Sequence, residues 1–123
     1  MPKKILVVDD DPDLRAAYVE LLSANDNIVH EAANGEQALA AAVTLVPDLI
    51  VLDLNMPVMD GPEFLKRSRQ IAPLAAVPVI LVSGQLEEYR PRLAGLNYHA
   101  ALPKPCPVKE LLEVVEQALK PRG

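Results

Sequence analysis

Five short apolar runs alternate with stretches whose hydrophobic residues recur at helical period, and that alternation leaves few folds open to the chain. The runs Lys3 to Val8, Ile28 to Ala32, Asp48 to Asp53, Val77 to Val82 and Tyr98 to Leu102 read as strands, short and continuously apolar as buried strands are. Between them Leu14, Ala17, Tyr18, Leu21 and Leu22 form one helical stripe. An Ala-rich stretch over 38–45 forms a second, and Phe64, Leu65, Ser68 and Ile71 a third. A fourth helix over 85–93 is expected to be short or kinked, because Pro91 removes a backbone donor and clashes one turn back. Val108, Leu111, Leu112, Val115 and Leu119 mark the last. Strands that alternate with helices pair in parallel through right-handed crossovers. The expected fold is α/β, a doubly wound sheet of five parallel strands with five flanking helices.

Local signals agree. Asp11-Pro12 supplies a helix cap followed by proline at the first helical position. Asn34 to Gln37 has capping-box spacing, with Gln37 reaching back toward Asn34, and Asp60-Gly61-Pro62-Glu63 repeats the pattern. Pro47 stops the second helix and Gly95 suits the end of the fourth.

A chain of 123 residues is the size of one domain, here expected over 1–120 with a tail at 121–123. Its net charge of -5 and the lack of a Lys/Arg block speak against direct nucleic-acid binding. The four apolar residues after Met1-Pro2-Lys3-Lys4 are too few for a signal-peptide core, and no run is long enough to span a membrane. With one cysteine, Cys106, no internal disulfide can form, and a cytoplasmic setting is expected.

Three runs end in charge. The first leads into Asp9-Asp10, the third into Asp53, and the last into Lys104-Pro105. In an open parallel sheet such strand ends meet at one edge, where sites of this architecture form. Carboxylates ~4 Å apart repel by roughly 4 kcal/mol at an effective dielectric near 20, so these acids need a cation if they are to crowd together ionised. An acidic cluster facing one lysine suits a divalent cation and a phosphoryl group. Asp11, directly before Pro12, is read as a helix cap only.

Four segments resemble the receiver domain of two-component response regulators: Ile5 to Asp11, Asp53 to Gly61, Leu81-Val82-Ser83-Gly84 and Leu102-Pro103-Lys104-Pro105. The resemblance covers nearly the whole chain. It implies a strand order 2-1-3-4-5, as in flavodoxin-like folds, and Mg²⁺ ligated by Asp10, Asp53 and the backbone carbonyl of Asn55, with Asp9 acting through water. It further implies that Asp53 is the phosphoacceptor, taking its phosphoryl group from a sensor histidine kinase or a histidine phosphotransfer protein. Lys104 and Ser83 would assist, and the Lys104-Pro105 bond would be cis. Asn55 and Gln85 would border the path of hydrolytic water and hold the phosphoryl lifetime to minutes. Such a domain is not an enzyme in the usual sense, but a phosphoacceptor with self-catalysed phosphotransfer and autodephosphorylation. It signals through a downstream partner or output domain on the face made by the fourth helix, fifth strand and last helix.

Three positions depart from the family pattern, all on that face. Ala101 stands where a switching Tyr or Phe is usual, Cys106 where Phe follows the proline, and Pro91 lies inside the fourth helix. His99 is expected on the same strand face as Ala101, with Tyr98 on the opposite face. Cys106 is read as a small apolar residue. Ala101 keeps open a receiver-like interaction module that works without phosphorylation. A Mg²⁺-dependent phosphatase with an aspartyl phosphate is less well supported, since Asn55 stands where its second acid is needed and the chain is too short for a substrate-covering cap. A flavodoxin-like cofactor binder would lack its phosphate loop, because Asp9-Asp10-Asp11 repels an anion.

Overall fold

The computed structural model describes residues 2–120, so the tail expected at 121–123 lies outside the described residues. The apolar runs form strands β1 (Lys4–Val8), β2 (Ile28–Ala32), β3 (Leu49–Leu52), β4 (Val79–Ser83) and β5 (Ala100–Pro103). The helices are α1 (Pro12–Ser23), α2 (Gly35–Leu45), α3 (Gly61–Ser68), α4 (Ala72–Ala75), α5 (Leu86–Leu93) and α6 (Val108–Leu119). All pairings are parallel, in the order β2-β1-β3-β4-β5. The doubly wound sheet is therefore as expected.

Successive side chains of a strand leave opposite faces of the sheet, and the continuous apolar runs consequently feed two cores. Leu6, Val8, Ile50, Leu52, Val79 and Leu81 pack with Ala38, Phe64, Leu65, Leu74 and Leu86 from α2 through α5. Ile5, Val7, Leu49, Val51, Ile80 and Val82 pack with Tyr18, Leu22, Leu111 and Val115 from α1 and α6. Full burial of one such side chain contributes ~1.5–3 kcal/mol. The aromatic-poor composition thus suffices, because both faces of the three central strands are covered.

Among the described residues six helices flank the sheet where five were expected. The stripe running to Ile71 is broken: α3 ends at Ser68, and Ile71 instead precedes the four-residue α4. Pro73 cannot continue α3, and the side chain of Arg69 stabilises the new turn. Its Nη1 donates to the carbonyls of Leu74 and Ala75 at 3.1 and 2.7 Å, and its Nη2 to that of Val77 at 2.9 Å. These bonds tie the end of α4 to the turn that follows it. Val77 is drawn into the turn, so β4 starts at Val79.

The capping boxes are half formed. Asn34 Oδ1 accepts from the Gln37 amide at 2.9 Å, but Gln37 Oε1 accepts from Ala33, one residue earlier than expected. Asp60 caps α3 through the Glu63 amide, while the Glu63 side chain pairs with Arg67. Tyr98 also differs from expectation. It precedes β5, escapes strand alternation, and packs on the same cluster as Ala101, whereas His99 is exposed.

Two glycines let the loop after β3 approach its neighbours. A Cβ on Gly61 would lie 2.6 Å from the Asp53 carbonyl oxygen and from Leu54 Cα, and one on Gly35 would lie 2.5 Å from the Met59 carbonyl oxygen. Both amides bond this loop, Gly61 to Leu54 at 2.9 Å and Gly35 to Met59 at 2.8 Å. Gly61→Ala is expected to lower stability by ~1–3 kcal/mol through overpacking against backbone. Urea denaturation checks this, and an unchanged midpoint would show that the loop can yield.

Candidate functional site

The sheet positions the site before any side chain is considered. β1 pairs with β2 on one side and β3 on the other, so the direction of winding reverses between β1 and β3 and opens a crevice at their C-terminal ends. The register sets Val8 opposite Leu52, which makes Asp9 and Asp53 the next residues on adjacent strands. The Asp53 amide donates to the Val8 carbonyl at 2.9 Å, and the Asp9 amide to Ala32 at 3.1 Å. Carboxylate oxygens of Asp9, Asp10 and Asp53 lie within 4.8 Å of one another. Asp9 and Asp53 are buried, and Asp10 is exposed at the rim.

Lys104 enters from the end of β5. Its Nζ donates to Asp9 Oδ2 at 3.0 Å and stands 3.6 Å from Asp53 Oδ2. Its backbone amide bonds the Ser83 carbonyl at 3.0 Å, which ties the lysine to the end of β4. The Lys104-Pro105 peptide is cis. Asp9 is further held: its Oδ1 accepts from the Asp11 amide at 2.9 Å, and its carbonyl accepts from Arg15 at 2.7 Å. Asp11 caps α1 through the amides of Asp13 and Leu14.

The electrostatics follow from the crowding. The Asp53 carboxyl is pushed up to about 6, first by burial; Lys104 pulls it down, Asp9 raises it, the Leu54 amide lowers it, and Asp10 raises it. Three carboxylates against one lysine leave excess negative charge, carried by hard oxygen donors at short range. That donor set fits Mg²⁺, which takes a few carboxylates and keeps waters and phosphate oxygens as its remaining ligands.

Ser83 is buried, and its Oγ accepts from the Gln85 amide at 3.1 Å, which leaves its own proton to donate. Asn55 is exposed on the loop after β3. Ala101 pairs with Leu81 in the sheet and packs toward the α5 side, away from the carboxylates. Cys106 packs against the α1 and α6 cluster, and burial pushes its thiol up, in keeping with a small apolar role.

One set of contacts was not foreseen. Tyr89 of α5 donates its hydroxyl to Asn55 Oδ1 at 3.3 Å. Arg92 forms a bidentate pair with Asp60 at 2.7 and 3.1 Å and lies 5.7 Å over the Tyr89 ring. The only sequence signal was that Tyr89 and Arg92 stand three apart on one helix face. Their partners lie more than thirty positions upstream, where no periodicity can link them.

Comparison with known proteins agrees with this architecture. The family model for the response regulator receiver domain matches residues 5–116. Sporulation initiation phosphotransferase F of Bacillus subtilis (strain 168) is 34% identical over 121 residues, 97% of this chain and 95% of that protein. The nitrate/nitrite response regulator protein NarL of Escherichia coli (strain K12) is 44% identical over 89 residues, 71% of this chain but only 41% of NarL's length. Among solved structures, chemotaxis response regulator CheY4 of Vibrio cholerae superposes with a TM-score of 0.89 at 30% identity, covering 97% of this chain and all of that one. The receiver domain of sensor histidine kinase PA1611 from Pseudomonas aeruginosa PAO1, with a magnesium ion coordinated in its active site cleft, gives 0.89 at 25% identity over 97% of this chain and 98% of that one.

The raised Asp53 carboxyl carries a stability signature. Folding favours its protonated form, so its contribution is fully present below the ordinary carboxylate value and is lost as pH rises through about 6. In metal-free buffer Asp53→Asn is expected to melt above the unsubstituted chain at about pH 8, with the gap closing toward about pH 4. Thermal unfolding by circular dichroism checks it, and a variant less stable at both ends of the range would contradict the electrostatic account.

Proposed function

This chain belongs to the response regulator receiver family, and from that premise we propose that Asp53 accepts a phosphoryl group from a sensor histidine kinase or a histidine phosphotransfer protein in a Mg²⁺-dependent reaction. The observation that carries the reading is the buried Asp53 carboxylate set between Asp9, Asp10 and Lys104 at the switch point of the sheet.

A carboxylate must be ionised to attack phosphorus, and a carboxyl at about 6 is mostly ionised at neutral pH. An Asp53 oxygen forms the new bond to phosphorus as the bond to the donor histidine breaks, and the imidazole leaves with the electron pair. Asp10, Asp53 and the Asn55 carbonyl would hold Mg²⁺, with Asp9 acting through water, and the ion would supply charge neutralisation for the transferring group. Lys104 offsets charge from the other side, and Ser83 donates its hydroxyl proton to the phosphoryl group. The reaction needs little beyond such positioning. Asn55 and Gln85 border the attacking water when the acyl phosphate later hydrolyses, which limits its lifetime to minutes.

Output runs through protein contacts on the face built by α5, β5 and α6, to a downstream partner or an output domain. Ala101 provides no rotating ring at the usual switch position, so the phosphorylated state must reach that face by another route. The reading places the protein in the cytoplasm, with direct contact to neither membrane nor nucleic acid.

With a small acyl phosphate donor and Mg²⁺, the intact mass is expected to rise by one phosphate. Asp53→Asn should abolish the gain, and Lys104→Ala should slow it by ~10²-fold or more, as loss of a charge-stabilising donor does. Phosphorylation that persists undiminished in Asp53→Asn would sink the assignment.

A further inference from the structure

Tyr89, so far without a role, contacts Asn55 on the loop that follows the acceptor. Asn55 is exposed, so its amide is free to rotate unless something holds it. Tyr89 holds it, donating its hydroxyl to Oδ1 at 3.3 Å. An Asn amide has one acceptor atom and one donor group. With Oδ1 turned toward Tyr89, the Nδ2 donors are turned away from it.

The tyrosine is itself constrained from two directions. Its ring packs against the buried cluster on the α5 side of the sheet. On its other side the Arg92 guanidinium lies over the ring at 5.7 Å while gripping both oxygens of Asp60. Asp60 caps α3 and closes the same loop that bears Asn55. Ring, arginine and loop therefore form one closed circuit in which the phenolic oxygen has a preset place.

We propose that Tyr89 is a positioning residue for dephosphorylation, holding the Asn55 amide so that its Nδ2 orders the attacking water. The inference rests on the reading of Asp53 as phosphoacceptor. In the step concerned, the water oxygen forms a bond to phosphorus and the bond from phosphorus to the Asp53 oxygen breaks. The carboxylate leaves with the electron pair, a water proton passes to solvent, and inorganic phosphate is released. Without the tyrosine hydroxyl the amide samples both orientations, and the water loses its donor for part of the time.

The test follows decay of the acyl phosphate after loading the full chain with a small acyl phosphate and Mg²⁺ and then removing the donor. Tyr89→Phe keeps the ring and its packing, so its melting temperature should match that of the unsubstituted chain. Its decay should be about threefold slower, the scale of one net hydrogen bond. In an Asn55→Ala background the same Tyr89→Phe change should have no effect, because the group it positions is gone. The side-chain amide resonances of Asn55 should also move in Tyr89→Phe, which reports the hydrogen bond in solution, while the decay in the two backgrounds separates positioning from a purely structural role. Equal slowing in both backgrounds, no slowing at all, or an unmoved Asn55 amide would each overturn the proposal. Failure of the unsubstituted chain to take phosphate on Asp53 would overturn the phosphoacceptor reading itself, and this inference with it.

Discussion

The register of β1 against β3 is the constraint on which the rest of the structure depends. Val8 opposite Leu52 sets the next two residues, Asp9 and Asp53, beside each other at the open edge of the sheet. Neither carboxylate would choose that neighbour in water. Slippage by one residue would turn Val8 and Leu52 out of one core and into the other, and the close packing of both cores resists that exchange. The core therefore holds the acids in a repulsive arrangement. Burial first, and the crowding of the acids after it, raise the Asp53 carboxyl, and the excess negative charge is what a cation can offset. Lys104 relieves part of the charge while leaving the cluster acidic.

Local patterns in the chain were enough to reveal the strands, the winding and the charged residues at the strand ends. Buried parallel strands are continuous in sequence, and a site made from strand ends inherits that continuity. Other parts were not legible because they rest on side chains meeting across long separations. Arg69 folding over the end of α4 is one such case, since nothing in the pattern 69–77 shows which carbonyls a long side chain will find. The circuit of Tyr89, Arg92, Asp60 and Asn55 is another, joining segments whose proximity exists only once the sheet has formed. Tyr98 illustrates a third failure. It lies two residues before β5 begins, where strand alternation does not dictate which face a side chain takes.

Chemistry and output are differently equipped in this molecule. The crevice holds three acids and a lysine close together, and Asp9, Asp53 and Lys104 are anchored by backbone bonds to neighbouring strands. On the neighbouring face the position usually given to a rotating aromatic carries only the methyl group of Ala101. What connects the crevice to α5 instead is polar and lies nearer the surface, running through the loop after β3. Such contacts are individually weak, yet they are directional. Small changes in the loop can therefore be passed to the helix as changes in orientation, with the buried core undisturbed.

The scarcity of aromatic residues has a practical consequence. With no tryptophan and only three tyrosines in the chain, tyrosine emission is not drained by energy transfer to an indole. Tyr18 lies buried beneath α1 and Tyr98 sits at the far end of β5, whereas Tyr89 shares a hydrogen bond with the loop after β3. The chain thus carries an intrinsic fluorophore one contact away from its acidic crevice, ready to be read without any label.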